Sequence, residues 1–339
     1  MKKIFFYVHS EKQLKNKIFF PDKNDYANSD QRLLFFLDLK KNFEKREYNL
    51  CTQDINSVEA SEFGIYQTIP EDIKAIKPNS FLFLMESKTV TTQDWSYDKH
   101  KYFKKIFTYK NIDQKKYIQV FHSYTFKIPI KSQPKLNNKI VMICSNKRST
   151  SYNQLYTFRY KLIKYMIKKN KKNFDLFGVG WTNFPVYVNP RVNINFNRIY
   201  DFIVKKISLL FNLKFSVKPV YKGTIKDKNK ILQEYDFSIC IENTNEDDFI
   251  TSIIFESIIN SCIPIYKGAK NINNYVPSDC FIDLNKFGSL KELIETINKF
   301  DRDTINLYKK KMYNYIINNK HEKFTSEYSV KKIIKNILE

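Results

Sequence analysis

The sequence predicts an α/β fold in which parallel strands alternate with helices. Within Tyr235–Ala269, a short apolar strand, a polar loop, an amphipathic helix and a second strand follow one another, which is the order of a βαβ unit. A continuous apolar run at Phe81–Met85 is typical of a strand buried on both faces of a parallel sheet. Strand and helix patterns alternate along much of the chain, which favours helices layered on sheets.

The βαβ unit also predicts where a ligand binds. The strand Asp236–Ile241 leads through the loop Glu242–Phe249 into the helix Ile250–Cys262, and the strand Ile263–Tyr266 follows. Ligands of open parallel sheets bind beyond the carboxyl ends of the strands, at the loop that enters the helix. The unpaired N–H groups at a helix N-terminus favour a phosphate there. We therefore expect an anionic ligand beside this loop.

The first part of the chain predicts one α/β domain, residues 1–130. Its predicted elements are the strand Lys2–Val8, the helix Asp30–Lys45 capped by Ser29 or Asp30, the strand Phe81–Met85, a short helix over Tyr97–Lys105 and the strand Lys105–Tyr109. The segment Lys127–Asn138 contains two prolines and many polar residues without periodicity, which is typical of a linker. We expect the domain boundary there.

A second α/β domain is predicted over residues 139–320. A C-terminal helix is predicted in residues 321–339, and packing of this helix against the N-terminal domain is left open. The predicted elements of this part of the chain are the strand Lys139–Cys144, the helix Gln154–Lys169, the strand Phe174–Phe177, the helix Leu290–Lys299 capped by Ser289, and helices near Asp303–Asn318 and Ser329–Leu338. The apolar and basic segment Ile199–Phe215 fits a core helix, a membrane-surface helix or a dimer surface, and we favour the core helix.

The composition is that of a globular protein with a basic surface. Of the 339 residues, 42% are hydrophobic and 16% aromatic, which is enough for a large core. The net charge of +23 favours nucleic acid, anionic membranes or phosphorylated substrates, although a general lysine and asparagine bias gives the same excess. Five dispersed cysteines suit reduced thiols. We expect a cytoplasmic protein and leave open peripheral attachment to the inner face of an anionic membrane through Ile199–Lys218.

The stretch Tyr235–Ala269 resembles the donor-binding motif of the family 10 glycosyltransferases, the α-1,3/1,4-fucosyltransferases. The segments that carry the resemblance are Tyr235-Asp236-Phe237, Ile241-Glu242-Asn243, Phe249-Ile250-Thr251-Ser252-Ile253 and Pro264-Ile265-Tyr266-Lys267-Gly268. The chain departs from the family pattern at Phe249, Ser252 and Ile253, where the family has Tyr, Glu and Lys. The resemblance implies the GT-B arrangement, in which two Rossmann-like domains face each other across a cleft.

The resemblance also implies which residues bind the nucleotide sugar. They are Asn146, Arg159, Lys222, Glu242, Asn243, Phe249, Thr251, Ser252 and Tyr266. Arg159 is expected to bind the diphosphate, because a planar guanidinium binds two oxygens at once and keeps its charge, and Arg148 is the alternative. Backbone N–H groups at Thr251 and Ser252 are expected to help Arg159 bind the diphosphate. Because Ser252 and Ile253 replace Glu and Lys, we expect GDP-fucose to bind weakly unless Lys222, Lys226 or Lys267 compensates from another strand.

Glu86 is the candidate catalytic residue. It follows the buried strand Phe81–Met85, and the segment Phe83–Val90 resembles a Phe-Glu-Ser-Pro segment of the family, with Lys88 in place of the proline. The resemblance implies that Glu86 is the base that activates the acceptor. That role requires a carboxylate within hydrogen-bond reach of a sugar hydroxyl.

The implied reaction is inverting transfer of fucose from GDP-fucose to a hydroxyl of a cell-surface glycan of the lipopolysaccharide or capsule type. The expected partners are a nucleotide sugar and an oligosaccharide or glycolipid acceptor, with neither cofactor nor metal. Because the donor motif is altered, a transferase for another nucleotide sugar and a catalytically silent relative remain alternatives. A basic protein that binds nucleic acid or a membrane surface is an alternative of another class, and the lack of an RNA-binding motif disfavours nucleic acid. Asp301-Arg302-Asp303 is interpreted as a helix cap rather than a metal motif.

Overall fold

The chain forms two parallel β-sheets, each associated with helices. The structure is a computed structural model that describes residues 1–20, 30–126, 138–182, 185–188 and 216–339. One six-stranded sheet comes from the first 126 residues, and a second six-stranded sheet comes from residues after 139. The predicted α/β fold is therefore confirmed, and its two sheets provide two sets of carboxyl-terminal strand ends.

The first sheet is parallel throughout, with the strand order β2-β1-β3-β4-β5-β6. Its elements are β1 (Lys2–Tyr7), α1 (Asp30–Glu44), β2 (Tyr48–Thr52), β3 (Gly64–Tyr66), β4 (Phe81–Leu84), β5 (Lys105–Thr108) and β6 (Tyr117–Gln119). All four residues of β4 are buried, as its continuous apolar sequence predicts for a central parallel strand. The site-forming loop that begins at Met85 is thus held by the middle of the sheet.

The second sheet has the order β11-β9-β7-β12-β13-β14 and is also parallel. Its strands are β7 (Ile140–Ile143), β9 (Phe174–Phe177), β11 (Tyr221–Gly223), β12 (Phe237–Ile241), β13 (Ile263–Lys267) and β14 (Ile282–Asp283). The helices of this half that precede β14 are α2 (Tyr156–Lys169), α3 (Lys228–Leu232) and α4 (Ser252–Ile259). Two short strands, β8 (Lys147–Arg148) and β10 (Val186–Tyr187), form a separate pair. The segment β12-α4-β13 is the predicted βαβ unit.

Three helices complete the chain: α5 (Leu290–Asn298), α6 (Arg302–Ile317) and α7 (Ser326–Leu338). Ser289 caps α5 by accepting a hydrogen bond from the Glu292 N–H, and Asp301 caps α6 in the same way through the Thr304 N–H. The last helix, α7, packs on α1, and its residues Ile333 and Ile337 lie in the core of the first sheet. The end of the chain therefore contributes to the N-terminal half.

Several local predictions differ from the structure. The helix predicted over Tyr97–Lys105 is wrong: only a single 3-10 turn forms at His100–Tyr102, and Lys105 already pairs in β5. The helix predicted over Ile250–Cys262 is shorter at both ends, because Asp248 and Ser261 adopt positive φ angles of 64° and 54° around it. The predictions for Ser29 and for most of Lys127–Asn138 and Ile199–Lys218 lie outside the described residues.

The two halves contact each other directly through the loops at the strand ends. Tyr109, which follows β5, donates a hydrogen bond to Glu246 of the other half at 3.0 Å, and Lys110 pairs with the same carboxylate at 2.8 Å. Thr89 and Thr244 meet at 3.2 Å. These polar contacts fix the width of the cleft between the sheets. Across the described ranges, none of the helices has the length and apolar character needed to span a bilayer.

Candidate functional site

A cleft of about 270 Å³ lies between the carboxyl-terminal ends of the two sheets. Glu86, His122 and Ser123 from the first half form one wall. The other wall comes from residues that follow β7, β9 and β12 and from the first turns of α2, α3 and α4. Carboxyl ends of parallel strands are where open α/β sheets bind ligands, so the topology alone places a binding site here.

Glu86 lies at the first wall with its carboxylate available. The side chain is half-buried and makes neither a hydrogen bond nor an ion pair with any described residue, while the backbone oxygen accepts a hydrogen bond from Trp95 Nε1 at 2.9 Å. Burial raises the pKa of the Tyr156 hydroxyl to about 12, and the Glu86 charge adds to that rise, so Glu86 is within electrostatic reach of the start of α2. The loop is therefore anchored, and the acid faces the cleft.

Arg159, in the first turn of α2, lies on the opposite wall and is held by the end of β12. Its Nε donates to the Ile241 carbonyl at 3.1 Å and its Nη2 donates to Asn243 Oδ1 at 3.1 Å. Nη1 has no hydrogen-bond partner among the described residues. Asn243 thus positions the guanidinium, and one of its N–H edges is left for a ligand.

Glu242 organises the loop that enters α4. Its carboxylate accepts hydrogen bonds at 2.8 Å from both the Thr251 N–H and the Thr251 hydroxyl. The Thr251 N–H is therefore not available for a phosphate, and the prediction for that group is wrong. The N–H groups of the next three residues, Ser252 to Ile254, make no hydrogen bond within the described residues, and Ser252 and Ile253 line the cleft. The N–H groups at the start of α4 that have no partner therefore begin one residue later than predicted.

Burial raises the pKa of Glu242 from 4.5 to about 7, even though the two hydrogen bonds from Thr251 act in the opposite direction. Because the folded state holds the proton more tightly than the unfolded state, stability contributed by the protonated group is lost as the pH rises toward 7. The glutamine of Glu242→Gln does not titrate, so only the wild type loses this stability. Between pH 4 and pH 8 we expect the free energy of unfolding of the wild type to fall by about 3 kcal/mol relative to that of Glu242→Gln. Urea unfolding at both pH values measures the difference between the two proteins, and a difference that does not change with pH would contradict this expectation.

The structure explains why the last residue of the segment Pro264–Gly268 is a glycine. A Cβ atom at position 268 would lie 2.4 Å from Glu242 Cγ and 2.5 Å from the Tyr266 hydroxyl, closer than real Cβ contacts allow. The glycine is therefore required by the close approach of Glu242. Tyr266 is fully buried behind this carboxylate and does not line the cleft. The prediction of a donor contact for Tyr266 is wrong, because its hydroxyl is occupied by the Ala269 N–H at 3.1 Å.

Three other predicted donor residues also lie outside the cleft. Phe249 is fully buried between the halves, where its ring packs 5.0 Å from that of Tyr109. Lys222 pairs with Asp175 at 3.4 Å. The amide of Asn146 donates to the Gly180 carbonyl at 3.1 Å and ties together the loops that follow β7 and β9. In this structure Phe249 is directed into packing and Lys222 and Asn146 are directed into pairing, so their contact with a donor stays a prediction.

Lys228 is a cleft residue that the sequence did not reveal. It is the first residue of α3, directly after its cap Asp227, and its ammonium group pairs with Glu256 of α4 inside the cleft. Ser252 donates a hydrogen bond to the same carboxylate at 3.0 Å. Neither Lys226 nor Lys267, which were expected to supply a charge, lines the cleft. The hydrogen bond between Asn229 and Asn260 at 2.8 Å shows how α3 is brought beside α4.

The described residues contain no group of three or more His, Cys, Asp or Glu side chains arranged to hold a metal ion. Among the described residues, the lysine and arginine side chains that line the cleft are Lys147, Arg159 and Lys228. An anionic ligand is therefore the chemistry that this wall favours.

Comparison with known proteins identifies the C-terminal half. Residues 203–335 match the family described as glycosyltransferase family 10 (fucosyltransferase), C-terminal part. Residues 203–335 therefore form a C-terminal domain of the glycosyltransferase family 10 type. The chain is 30% identical over 129 residues to an α-(1,3)-fucosyltransferase of Helicobacter pylori, which covers 37% of this chain and 27% of that protein. It is 34% identical over 74 residues to an α-(1,4)-fucosyltransferase of Arabidopsis thaliana, covering 22% of this chain and 18% of that protein.

The solved structures show the same architecture over the whole chain. A crystal structure of an α1,3-fucosyltransferase matches with a TM-score of 0.56 at 13% identity, covering 99% of this chain and 90% of that one. An α-glucosyltransferase in complex with UDP and DNA matches with a TM-score of 0.55 at 12% identity over 100% of both chains. The chain therefore has the predicted GT-B fold, with its cleft between two Rossmann-like halves.

Proposed function

We propose that this protein is an inverting fucosyltransferase that transfers fucose from GDP-fucose to a hydroxyl of a glycan. The observation that carries the proposal is the unpartnered carboxylate of Glu86 on one wall of the cleft, with Arg159 and Lys228 on the other. A base that faces a cationic wall is the arrangement that displacement of a diphosphate from a sugar requires. The names of the relatives, α-(1,3)- and α-(1,4)-fucosyltransferases, support the choice of sugar.

In this reaction the acceptor oxygen attacks C1 of the fucose as Glu86 takes the acceptor proton. The bond between C1 and the diphosphate oxygen breaks, its electron pair leaves with GDP, and the configuration at C1 inverts. Arg159 and the N–H groups of Ser252 and Ile253 stabilise the charge that develops on the departing diphosphate. Two further residues hold these groups in place. Asn243 positions the guanidinium of Arg159, and Glu242 positions the N-terminus of α4 through Thr251.

Lys228 and Glu256 replace the charged pair that the donor motif lacks at positions 252 and 253. Glu256 lies one helical turn after Ser252 in α4, and Lys228 lies in α3. The cleft therefore has one carboxylate and one ammonium group from these two helices in place of the Glu and Lys of the motif. Lys228 supplies charge to the diphosphate, and Glu256 accepts hydrogen bonds from nucleotide hydroxyls. GDP-fucose thus remains the proposed donor despite Ser252 and Ile253. A structure solved with GDP-fucose shares this fold, with a TM-score of 0.54.

Removal of Lys228 tests this replacement. We expect Lys228→Ala to weaken GDP binding about ten- to a hundredfold, since one charge-assisted hydrogen bond contributes ~1.5–3 kcal/mol. Lys226→Ala, on the exposed surface two residues earlier, is the matched control and leaves the affinity unchanged. The double variant Lys228→Met/Glu256→Gln leaves no unpaired buried charge and should bind GDP at least as weakly as Lys228→Ala, because it also lacks the Glu256 carboxylate. Calorimetric titration with GDP measures all three, and equal affinities for Lys228→Ala and Lys226→Ala would contradict the role.

The donor itself is tested by a thermal-shift panel of nucleotides and nucleotide sugars, followed by product analysis. Stabilisation by GDP and GDP-fucose above all others, and β-to-α inversion in the product, are the expected results. A preference for UDP would instead favour a transferase for another nucleotide sugar, and no response to any nucleotide would overturn the proposal. We further propose a surface glycan of the lipopolysaccharide or capsule type as acceptor and a cytoplasmic site of action, at the inner face of an anionic membrane.

A further inference from the structure

A second cavity of about 260 Å³ opens beside Glu86 in the N-terminal half. It shares Glu86, His122 and Ser123 with the cleft, so the two spaces meet at the proposed base. Its wall is largely apolar, and its fully buried part includes Phe83, Phe107, Val120 and Ile333. This volume is far larger than the ~10–15 Å³ that one water molecule requires.

Two hydroxyl groups interrupt the apolar wall. Ser123 follows β6 and Ser329 belongs to α7, and both Oγ atoms are buried without a hydrogen-bond partner in the described structure. Ser329 is only 1% exposed. A buried hydroxyl without a partner is unfavourable, and one that lines a cavity can gain its hydrogen bond from a molecule bound there. The pair indicates a ligand atom that accepts hydrogen bonds, surrounded by apolar surface.

We propose that this cavity binds an acyl chain longer than acetyl, and that the acceptor saccharide carries this chain close to its reactive hydroxyl. The inference rests on the proposed glycosyl transfer. The acyl chain packs against the phenylalanine side chains, and its carbonyl oxygen accepts hydrogen bonds from Ser123 and Ser329. A sugar ring fits this wall less well, because each of its hydroxyls needs a partner. The other polar side chains of the lining are all partly exposed rather than in the buried part: Gln13, Gln67, Glu86 and His122.

A matched pair of probes tests the proposal directly. We expect N-octanoylglucosamine to bind the GDP-loaded protein roughly ten- to a hundredfold more tightly than N-acetylglucosamine, because the longer chain buries more apolar surface. Ser329→Leu, which projects a bulky side chain into the cavity, should abolish this preference. Ser329→Ala should weaken the binding of both probes by about two- to tenfold, because both carry the acyl carbonyl that loses one hydrogen bond, and it should leave the preference for the longer chain in place. Calorimetry measures the affinities, and thermal melting confirms that each variant is folded.

Lys331→Leu is the control, because it places the same side chain on the exposed face of α7. It should keep the preference for the octanoyl probe. The proposal is overturned if N-octanoylglucosamine fails to bind, if it binds no more tightly than the acetyl probe, or if its advantage survives in folded Ser329→Leu. GDP binding is measured separately in every sample, so loss of the donor site and loss of the acyl site are distinguished.

Discussion

Glu86→Gln is expected to reduce fucosyl transfer by about 10²–10⁴-fold while GDP binding stays unchanged. The amide keeps the shape of the carboxylate but cannot accept the proton of the attacking hydroxyl. Since the Glu86 carboxylate makes no hydrogen bond or ion pair with the described residues, its replacement removes no structural contact. Single-turnover measurement of transfer at saturating donor, with calorimetric titration of GDP, separates chemistry from binding.

The matched control is Glu59→Gln, the same change at an exposed carboxylate outside both cavities. This variant should retain wild-type turnover. If Glu86→Gln also retained it, Glu86 would not be the base. If Glu86→Gln lost GDP binding in parallel with turnover, the residue would belong to the donor site instead.

Arg159→Ala is expected to give the second large effect, a fall of about 10²–10³-fold in turnover together with weaker GDP binding. The guanidinium is both the cation nearest the start of α2 in the cleft and the partner of the Ile241 carbonyl and Asn243. Arg159→Lys restores the charge but not the fork of donors, so only part of the loss should be recovered. Titration with GDP measures the loss of binding, and the rate of product formation at saturating acceptor measures the loss of turnover.

Arg148 provides the control for this experiment, because the sequence left it as the alternative. Its guanidinium stacks on the Tyr160 ring at 3.7 Å and does not line the cleft. Arg148→Ala should therefore change turnover little. A larger loss in Arg148→Ala than in Arg159→Ala would reverse the assignment.

The fold was predictable because its signals are local. The buried strand at Phe81–Leu84 and the alternation of β12, α4 and β13 follow from runs and periods of apolar residues. The caps of α5 and α6 follow from Ser289 and Asp301. The strands β3 and β11 have only three residues each, too short for an apolar pattern, and their positions depend on pairing with distant strands.

The candidate site was predictable only in part. Glu86, Arg159, Glu242, Asn243, Thr251 and Ser252 all line the cleft, as their positions at strand ends and helix starts predict. Phe249 and Tyr266 share the same segment but are directed into the core. Neighbouring residues of one motif point in different directions, so membership of the motif does not reveal which side chain reaches the ligand.

The sequence by itself determined the α/β alternation, the family 10 segment and the placement of Glu86 at a strand end, since each depends on residues close together in the chain. Only the tertiary structure decided that Glu242 takes the Thr251 N–H, that Lys228 reaches Glu256 and that α7 brings Ser329 to a cavity beside Glu86. These contacts join residues that are far apart in sequence, or they depend on which of several polar partners is nearest after packing. Hydrogen bonds and ion pairs form between whichever groups the folded backbone brings within about 3 Å, and no local pattern encodes that distance.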